Sequence, residues 1–280
     1  MPEDIQKVRL QEYASKVFKP YIPSNSGVKK AVKQERVMVD GKIGQTGTWI
    51  RSGQQLDLLA DFSQITKIYK LKLNLVFEDE HIAVIIKPAG LTVSGNSFKT
   101  VFNALPYNIT PSSEIDALAN PTPVHRLDNQ TSGLLLIAKT KTAQIEIGKQ
   151  FENNTIQKYY KAIVVGKIDR DSIINVPVEN KPAKTKIELL TVEPSLKYQH
   201  ISFLKASPQT GRTHQIRIHL ATIGHPILGD KLYGDQKTLL KGKGLFLCAS
   251  EVIFNHPKNF KQLRFKIETP QKFRSYICLL

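Results

Sequence analysis

The stretch Val124-His125-Arg126-Leu127-Asp128-Asn129-Gln130-Thr131-Ser132-Gly133 decides how the chain is read, because it runs directly into the apolar residues 134–138. An unbroken apolar run of that length reads as a strand buried on both faces. The loop ahead of it lodges one carboxylate among an arginine, a histidine and hydroxyl side chains. Such a group either caps a turn through side-chain to backbone hydrogen bonds or performs chemistry, and the stretch alone leaves both open.

Downstream, Thr142 is placed to cap a helix with Ala143, Ile147 and Phe151 on one face, ended by Asn153-Asn154. Residues 158–166 read as a strand with Tyr159 and Tyr160 at its entrance, aromatic faces on which a base can stack. Residues 187–192 and 199–206 suggest an antiparallel pair turned at Glu193-Pro194-Ser195. Next comes Gly211-Arg212-Thr213-His214-Gln215-Ile216-Arg217. Here Thr213 can cap a helix whose apolar face is Ile216, Leu220 and Ile223, with Arg217 off that face and Gly224 and Pro226 stopping it. Residues 229–234 form a tight loop, and 245–254 and 263–267 read as strands.

Upstream, residues 75–86 suggest a strand pair ending at Lys87-Pro88-Ala89-Gly90, with Lys87 at its mouth, solvated or set to hold phosphate. Residues 94–123 give one helical turn at 101–105 and otherwise a loop. Residues 1–60 form a separate module. Ser24, Asn25 or Ser26 caps a helix whose Val28, Ala31 and Val32 pack while Lys29, Lys30 and Lys33 face away, and Asp40-Gly41 marks a hairpin. Residues 61–72 read as a polar linker, and 73–280 as the second domain.

Charge narrows the partner. The 280 residues carry 40 Lys+Arg against 24 Asp+Glu, a formal +16, which attracts a polyanion and makes nucleic acid the leading partner. Two cysteines, Cys248 and Cys278, are too few and too far apart for a zinc ribbon or a disulfide framework, and a reducing, cytoplasmic setting fits. No run reaches membrane-spanning length, and the first residues lack the pattern of a secretory signal. His214 and His219 are five apart, not at the spacing that shares a helical face, so a metal site is not expected. Ser132 lacks the nucleophile elbow, and no phosphate-binding glycine loop is present. What remains is one aspartate with arginines able to keep it ionised and oriented, as nucleophilic or general-base work at a sugar carbon requires.

Taken in series, His125-Arg126-Leu127-Asp128 with Thr131-Ser132-Gly133-Leu134, Lys158-x-Tyr160-x-Ala162 and Gly211-Arg212-Thr213-His214-Gln215-Ile216-Arg217 resemble the RluA family of RNA pseudouridine synthases. The likeness extends through residues 223–230 and His256-Pro257, and upstream through Glu78-Asp79 and residues 87–90. The module at 1–60 resembles the small RNA-binding domain shared by a ribosomal small-subunit protein, tyrosyl-tRNA synthetases and several RNA-modifying enzymes.

The resemblance implies an α+β fold: a bent, mostly antiparallel mixed sheet with a central cleft, beside a small α/β RNA-binding domain. It implies isomerisation of uridine to pseudouridine without a cofactor, Asp128 acting at the ribose C1′. Tyr160 would pack against the base and take part in removing the carbon-5 proton, Arg217 would pair with Asp128, and Arg126 would hold the target nucleotide out of its stack. His125, Arg212 and Lys87 are expected at the substrate, and Lys29, Lys30 and Lys33 on RNA in the module. Ribosomal RNA is the first expected substrate and transfer RNA the second, with no obligate protein partner. Ser94 and Cys248 stand where the family often has histidine. An RNA-binding protein or chaperone without turnover, and a metal-dependent RNA hydrolase, are the alternatives.

Overall fold

The protein is described from a computed structural model, in which residues 7–19, 21–22, 24–59, 68–235, 240 and 242–277 are described. It divides into two compact units, Met1–Thr66 and Lys67–Leu280.

The first unit is built from β1 (Val8–Arg9), α1 (Leu10–Val17), α2 (Asn25–Lys33), β2 (Val37–Val39), β3 (Lys42–Ile43), β4 (Trp49–Ile50) and β5 (Leu56–Leu58). Ser24 caps α2 by accepting from the Gly27 N–H, and Val28, Ala31 and Val32 are buried while the three lysines stay exposed. Asp40 and Gly41 both take positive φ, the backbone a two-residue hairpin needs to match strand twist, and β2 pairs with β3 and β5. α1 is an addition to the sequence reading. Leu10, Ala14 and Phe18 fall four apart on one face and are buried with the α2 residues in one core.

The second unit contains β6 (Asn74–Glu78), β7 (Ile82–Lys87), α3 (Val101–Asn108), β8 (Ala117–Pro123), β9 (Ser132–Thr140) and α4 (Lys141–Glu152). It continues with β10 (Gln157–Val165), β11 (Ser172–Ile174), β12 (Thr185–Ser195), β13 (Gln199–Pro208), α5 (Gln215–Thr222), β14 (Leu247–Asn255), β15 (Gln262–Lys266) and α6 (Gln271–Arg274). One ten-stranded mixed sheet runs β11-β12-β13-β10-β14-β9-β7-β6, with β15 on β14 and β8 on β9. The apolar run of β9 is buried on both faces, as its composition requires. Leu135 and Ile137 join Ala83 and Ile85 against α3, while Leu134, Leu136 and Ala138 join Ile82 and Val84 against α4.

Two antiparallel halves of this sheet meet where β9 and β14 run parallel, through Cys248↔Ser132 and Ala249↔Gly133. Gly133 is obligatory there: its φ is +121°, and a Cβ would stand 2.2 Å from the Ala249 carbonyl oxygen. The strand that follows the Asp128 loop is therefore held at the centre of the sheet.

Several local expectations shift. Thr140, not Thr142, caps α4, its hydroxyl accepting from the Ala143 N–H while Asp116 accepts the Thr142 N–H. The β12–β13 turn lies at 196–198, since Pro194 and Ser195 still pair across to His200 and Gln199. Part of the loop expected at 94–123 is β8, a Pro- and Asn-containing strand on the flank of β9. Of the expected linker, 61–67 lies outside the described residues. From Tyr69 onward the chain is tied to α3, with the Tyr69 N–H on the Asn103 carbonyl and the Leu73 N–H on the Asn108 side chain.

Candidate active site

The Asp128 loop is fastened at both flanks. Leu127 is buried, the Val124 N–H donates to the Leu136 carbonyl, and the Leu136 N–H donates to His125 Nε2 at 3.0 Å. That bond makes His125 an acceptor, with its ring 4.9 Å from that of Phe151. Burial, with the Lys158 charge adding, pushes its pKa down to about 3.

Lys87 departs from the expectation of a phosphate contact. It is fully buried, and its ammonium donates to the carbonyls of Pro88, Leu91 and Asn129 at 2.9, 2.7 and 3.0 Å. Burial lowers its pKa to about 8, against the pull of the Asp128 charge. Lys87 thus braces the residue next to Asp128 rather than facing solvent.

Asp128 itself is no turn cap. Its carboxylate accepts no hydrogen bond among the described residues, and His214 Nε2 and Arg217 Nη1 each stand 3.7 Å from it. The Arg217 guanidinium is instead gripped by Asp230, Nε to Oδ2 at 2.8 Å and Nη2 to Oδ1 at 2.7 Å. Arg217 is 4% exposed and Asp230 is 0% exposed, so this planar, two-bond pair is desolvated and fixed. Burial works against both charges, yet their mutual bonds prevail: the Arg217 pKa is raised and that of Asp230 lowered. The Leu232 and Tyr233 N–H groups also donate to Asp230. Sequence reasoning assigns Asp230 only to a tight loop, although Gly229-Asp230 stands within the motif that carries the family likeness.

This geometry matters chemically. A two-bond bridge would fix one lone pair on each carboxylate oxygen and hold the group in the guanidinium plane; with Asp230 taking those bonds, Asp128 keeps a nearby positive charge without being held by it. Arg217 is buried, contrary to the expectation that it stands off the packed face, and Asp230 is what makes that burial tolerable.

His214, rather than Thr213, is the N-cap of α5 and takes a left-handed φ of 56°. Its Nδ1 lies 2.9 Å from the Tyr233 hydroxyl, and the Tyr233 ring sits beside Arg217, 5.1 Å from the guanidinium carbon. Gln215 staples the preceding loop. It accepts from Thr210 Oγ1 and the Arg212 N–H and donates to the Lys184 carbonyl and Thr185. His219 is occupied by Thr185 and the Val176 carbonyl. Among the described residues no three His, Cys, Asp or Glu side chains stand where they could share a metal ion.

A cavity of about 540 Å³ opens over Asp128, lined by His125, Arg126, Tyr160, Arg212, His214 and Arg217 among others. Of the expected site residues in this unit, only Lys87 is absent from it. Tyr160 packs against the cores on either side of the sheet's central join, and burial, with the Asp128 charge adding, raises its pKa and keeps the phenol neutral. Its neighbour Tyr159 points elsewhere, bonded to Gln157 and beside Lys205, because successive strand residues face opposite ways. Arg126 is exposed at the rim. Thr131 also lines the cavity, and its buried hydroxyl has no partner among the described residues. Lys29, Lys30 and Lys33 belong to the other unit, where they line a hollow of about 540 Å³ with Gln11, Ser26 and Thr46.

Residues 81–222 match the family model described as RNA pseudouridylate synthase. The chain is 33% identical over 296 aligned residues to an RNA pseudouridine synthase of Aquifex aeolicus, covering 96% of this chain and 93% of that protein. It is 31% identical to the ribosomal large subunit pseudouridine synthase D of Nitrosomonas europaea, over 84% of this chain and 71% of that one. The structure of human RNA pseudouridylate synthase domain containing 1 superposes with a TM-score of 0.59 at 22% identity, over 71% of this chain and 84% of that chain. The match across half the chain, the relatives along nearly all of it and the shared fold place this protein in the RNA pseudouridylate synthase family, as an RNA pseudouridine synthase of the RluA type.

Proposed function

We propose that this synthase acts on uridine in ribosomal RNA with Asp128 as the group that attacks or assists at the ribose C1′. The observation that carries the reading is the uncommitted Asp128 carboxylate at the floor of the cleft, 3.7 Å from an Arg217 held by Asp230. The C1′–N1 bond breaks, the uracil turns, C1′ bonds to carbon 5, N1 takes a proton and carbon 5 loses one. The change is an isomerisation, balanced without oxidant or reductant.

Arg126 at the rim and Tyr160 in the wall hold the extruded base, whose unstacking costs a few kcal/mol. As a neutral phenol Tyr160 serves first as a packing face, and Asp128 is the nearby group able to receive the carbon-5 proton. Arg212, whose Nε donates to the Pro182 carbonyl, also lines the cleft and is available for phosphate. His125 shapes the wall, fixed by its backbone bond. The unit Met1–Thr66 is an RNA-binding module that uses Lys29, Lys30 and Lys33. The ribosomal assignment is supported by relatives named for the large ribosomal subunit. The cytoplasm is the setting that goes with that substrate, and no described helix is long and apolar enough to cross a membrane.

Tritium at uridine carbon 5 provides the test. Ribosomal and transfer RNA transcripts so labelled are incubated with the protein and with Asp128→Asn. Release to water from ribosomal RNA that requires Asp128 is the expected result. Release from transfer RNA alone would overturn the substrate assignment, and release by the variant would overturn the role of Asp128.

A further inference from the structure

The unit Met1–Thr66 carries a surface that the reaction at Asp128 does not use. β1 and β4 form a two-stranded ribbon with Val8 opposite Ile50 and Arg9 opposite Trp49. Strand alternation turns Ile50 into the core and Trp49 outward, where half of its surface, 50%, is exposed. Arg9 on the facing strand and Lys7 just ahead of it both approach the ring: the ammonium lies 5.1 Å and the guanidinium carbon 5.4 Å from the indole centroid. The largest side chain type is thus left half exposed with two cations over its ring. Packing within this unit gives no reason for that exposure.

The arrangement is complementary to a nucleobase and its flanking phosphates. Every base has a π-face that an indole can stack on, whatever the sequence, and Lys and Arg track the backbone beside it. The lysine-lined hollow adjoins this ribbon: Gln11 follows Arg9 by two residues and Thr46 precedes Trp49 by three, and both line the hollow with Lys29, Lys30 and Lys33. A duplex offers such a surface only phosphates, because its base faces are hidden in the stack. The indole needs an unpaired base.

We propose that Trp49 is a stacking platform for an unpaired RNA base, with Lys7 and Arg9 on the adjacent phosphates and the lysines of α2 continuing the backbone track. The site rests on the reading of this unit as an RNA-binding module and adds to it a preference for single-stranded segments near the target. On binding, the base replaces one cation over the indole and the displaced charge turns to phosphate.

Trp49 is the only tryptophan of the chain, so intrinsic tryptophan emission reports from this ribbon alone. The full-length protein is titrated with a short uridine-free single strand, which cannot be isomerised in the cleft, and with a blunt guanine–cytosine duplex. The single strand is expected to quench the emission saturably and the duplex to leave it unchanged. In anisotropy measurements with the labelled strand, Trp49→Ala is expected to weaken binding about tenfold and Trp49→Phe to restore most of it. Unchanged emission, with binding that depends on Lys29, Lys30 and Lys33, would overturn the Trp49 site and leave the module standing. Absence of binding by either readout would overturn both, and equal quenching by the duplex would overturn the preference for unpaired bases.

Discussion

The two units of this protein handle charge in opposite ways. In the larger one, Arg217 and Asp230 are removed from water and locked together, and even Lys87 is enclosed, its ammonium spent on three carbonyls. In the smaller one, Lys7, Arg9, Lys29, Lys30 and Lys33 stand in solvent on a compact apolar core. Buried, fixed charge stabilises a developing transition state without reorganising, whereas exposed, mobile charge attracts a polyanion of any sequence and yields to salt. In the proposed function, that difference separates turnover from capture.

The sharpest way to break this contrast is Asp128→Asn. Turnover should fall at least about 10⁴-fold with RNA affinity retained, measured as single-turnover tritium release beside filter binding. Residual turnover within about tenfold of wild type would mean that the cleft is not built around Asp128.

Next in size is Asp230→Asn. With its partner weakened, Arg217 should turn toward Asp128, lowering kcat about 10²-fold while KM changes little, and melting should show a stability loss on the order of 3 kcal/mol. A stability loss with kcat intact would reduce the buried pair to a packing device.

The smaller unit should respond in the other parameter. Replacing Lys29, Lys30 and Lys33 together with Gln should raise KM roughly tenfold and flatten the dependence of log affinity on log salt by about 2 to 3. An unchanged salt slope would show that these lysines do not neutralise phosphates.

The last test reads stability rather than turnover and concerns His125. Its folded pKa of about 3 lies below the ordinary 6.5, so between those values the unfolded chain binds a proton that the folded chain refuses. Stability is therefore complete above the ordinary value and declines as the pH falls. Between pH 7 and pH 5 the loss of unfolding free energy, measured by urea titration, should exceed that of His125→Gln by about 2 kcal/mol. Parallel curves for the two proteins would remove His125 from the set of enclosed, pH-sensitive groups.

Much of this contrast is legible in the chain itself, wherever partners are close in sequence. Ser24 reaches an N–H three residues on, Asp40-Gly41 supplies the two positive φ angles of its hairpin, and the run ahead of Thr140 has the composition of a strand covered on both faces. The Asp128 loop, Tyr160 and Arg217 are visible as motifs in series, and the cleft gathers them. Less visible is anything decided by competition between neighbours. Thr140 and Thr142 are equally good caps by residue type, and the fold starts α4 at Lys141, with Thr140 as the cap.

The amino-acid sequence by itself determined the class of the fold, the position of its central strand, the polyanion as partner and the aspartate that the cleft surrounds. The central strand and the polyanion follow from composition and periodicity, which depend only on nearby residues; the class of the fold and the choice of aspartate follow from the motifs in series that carry the family resemblance. Tertiary structure alone decided which partner each buried charge takes: Asp230 rather than Asp128 for Arg217, backbone carbonyls rather than phosphate for Lys87. Those choices rest on loops brought together across the sheet. Spacing along the chain carries no record of the distances between them.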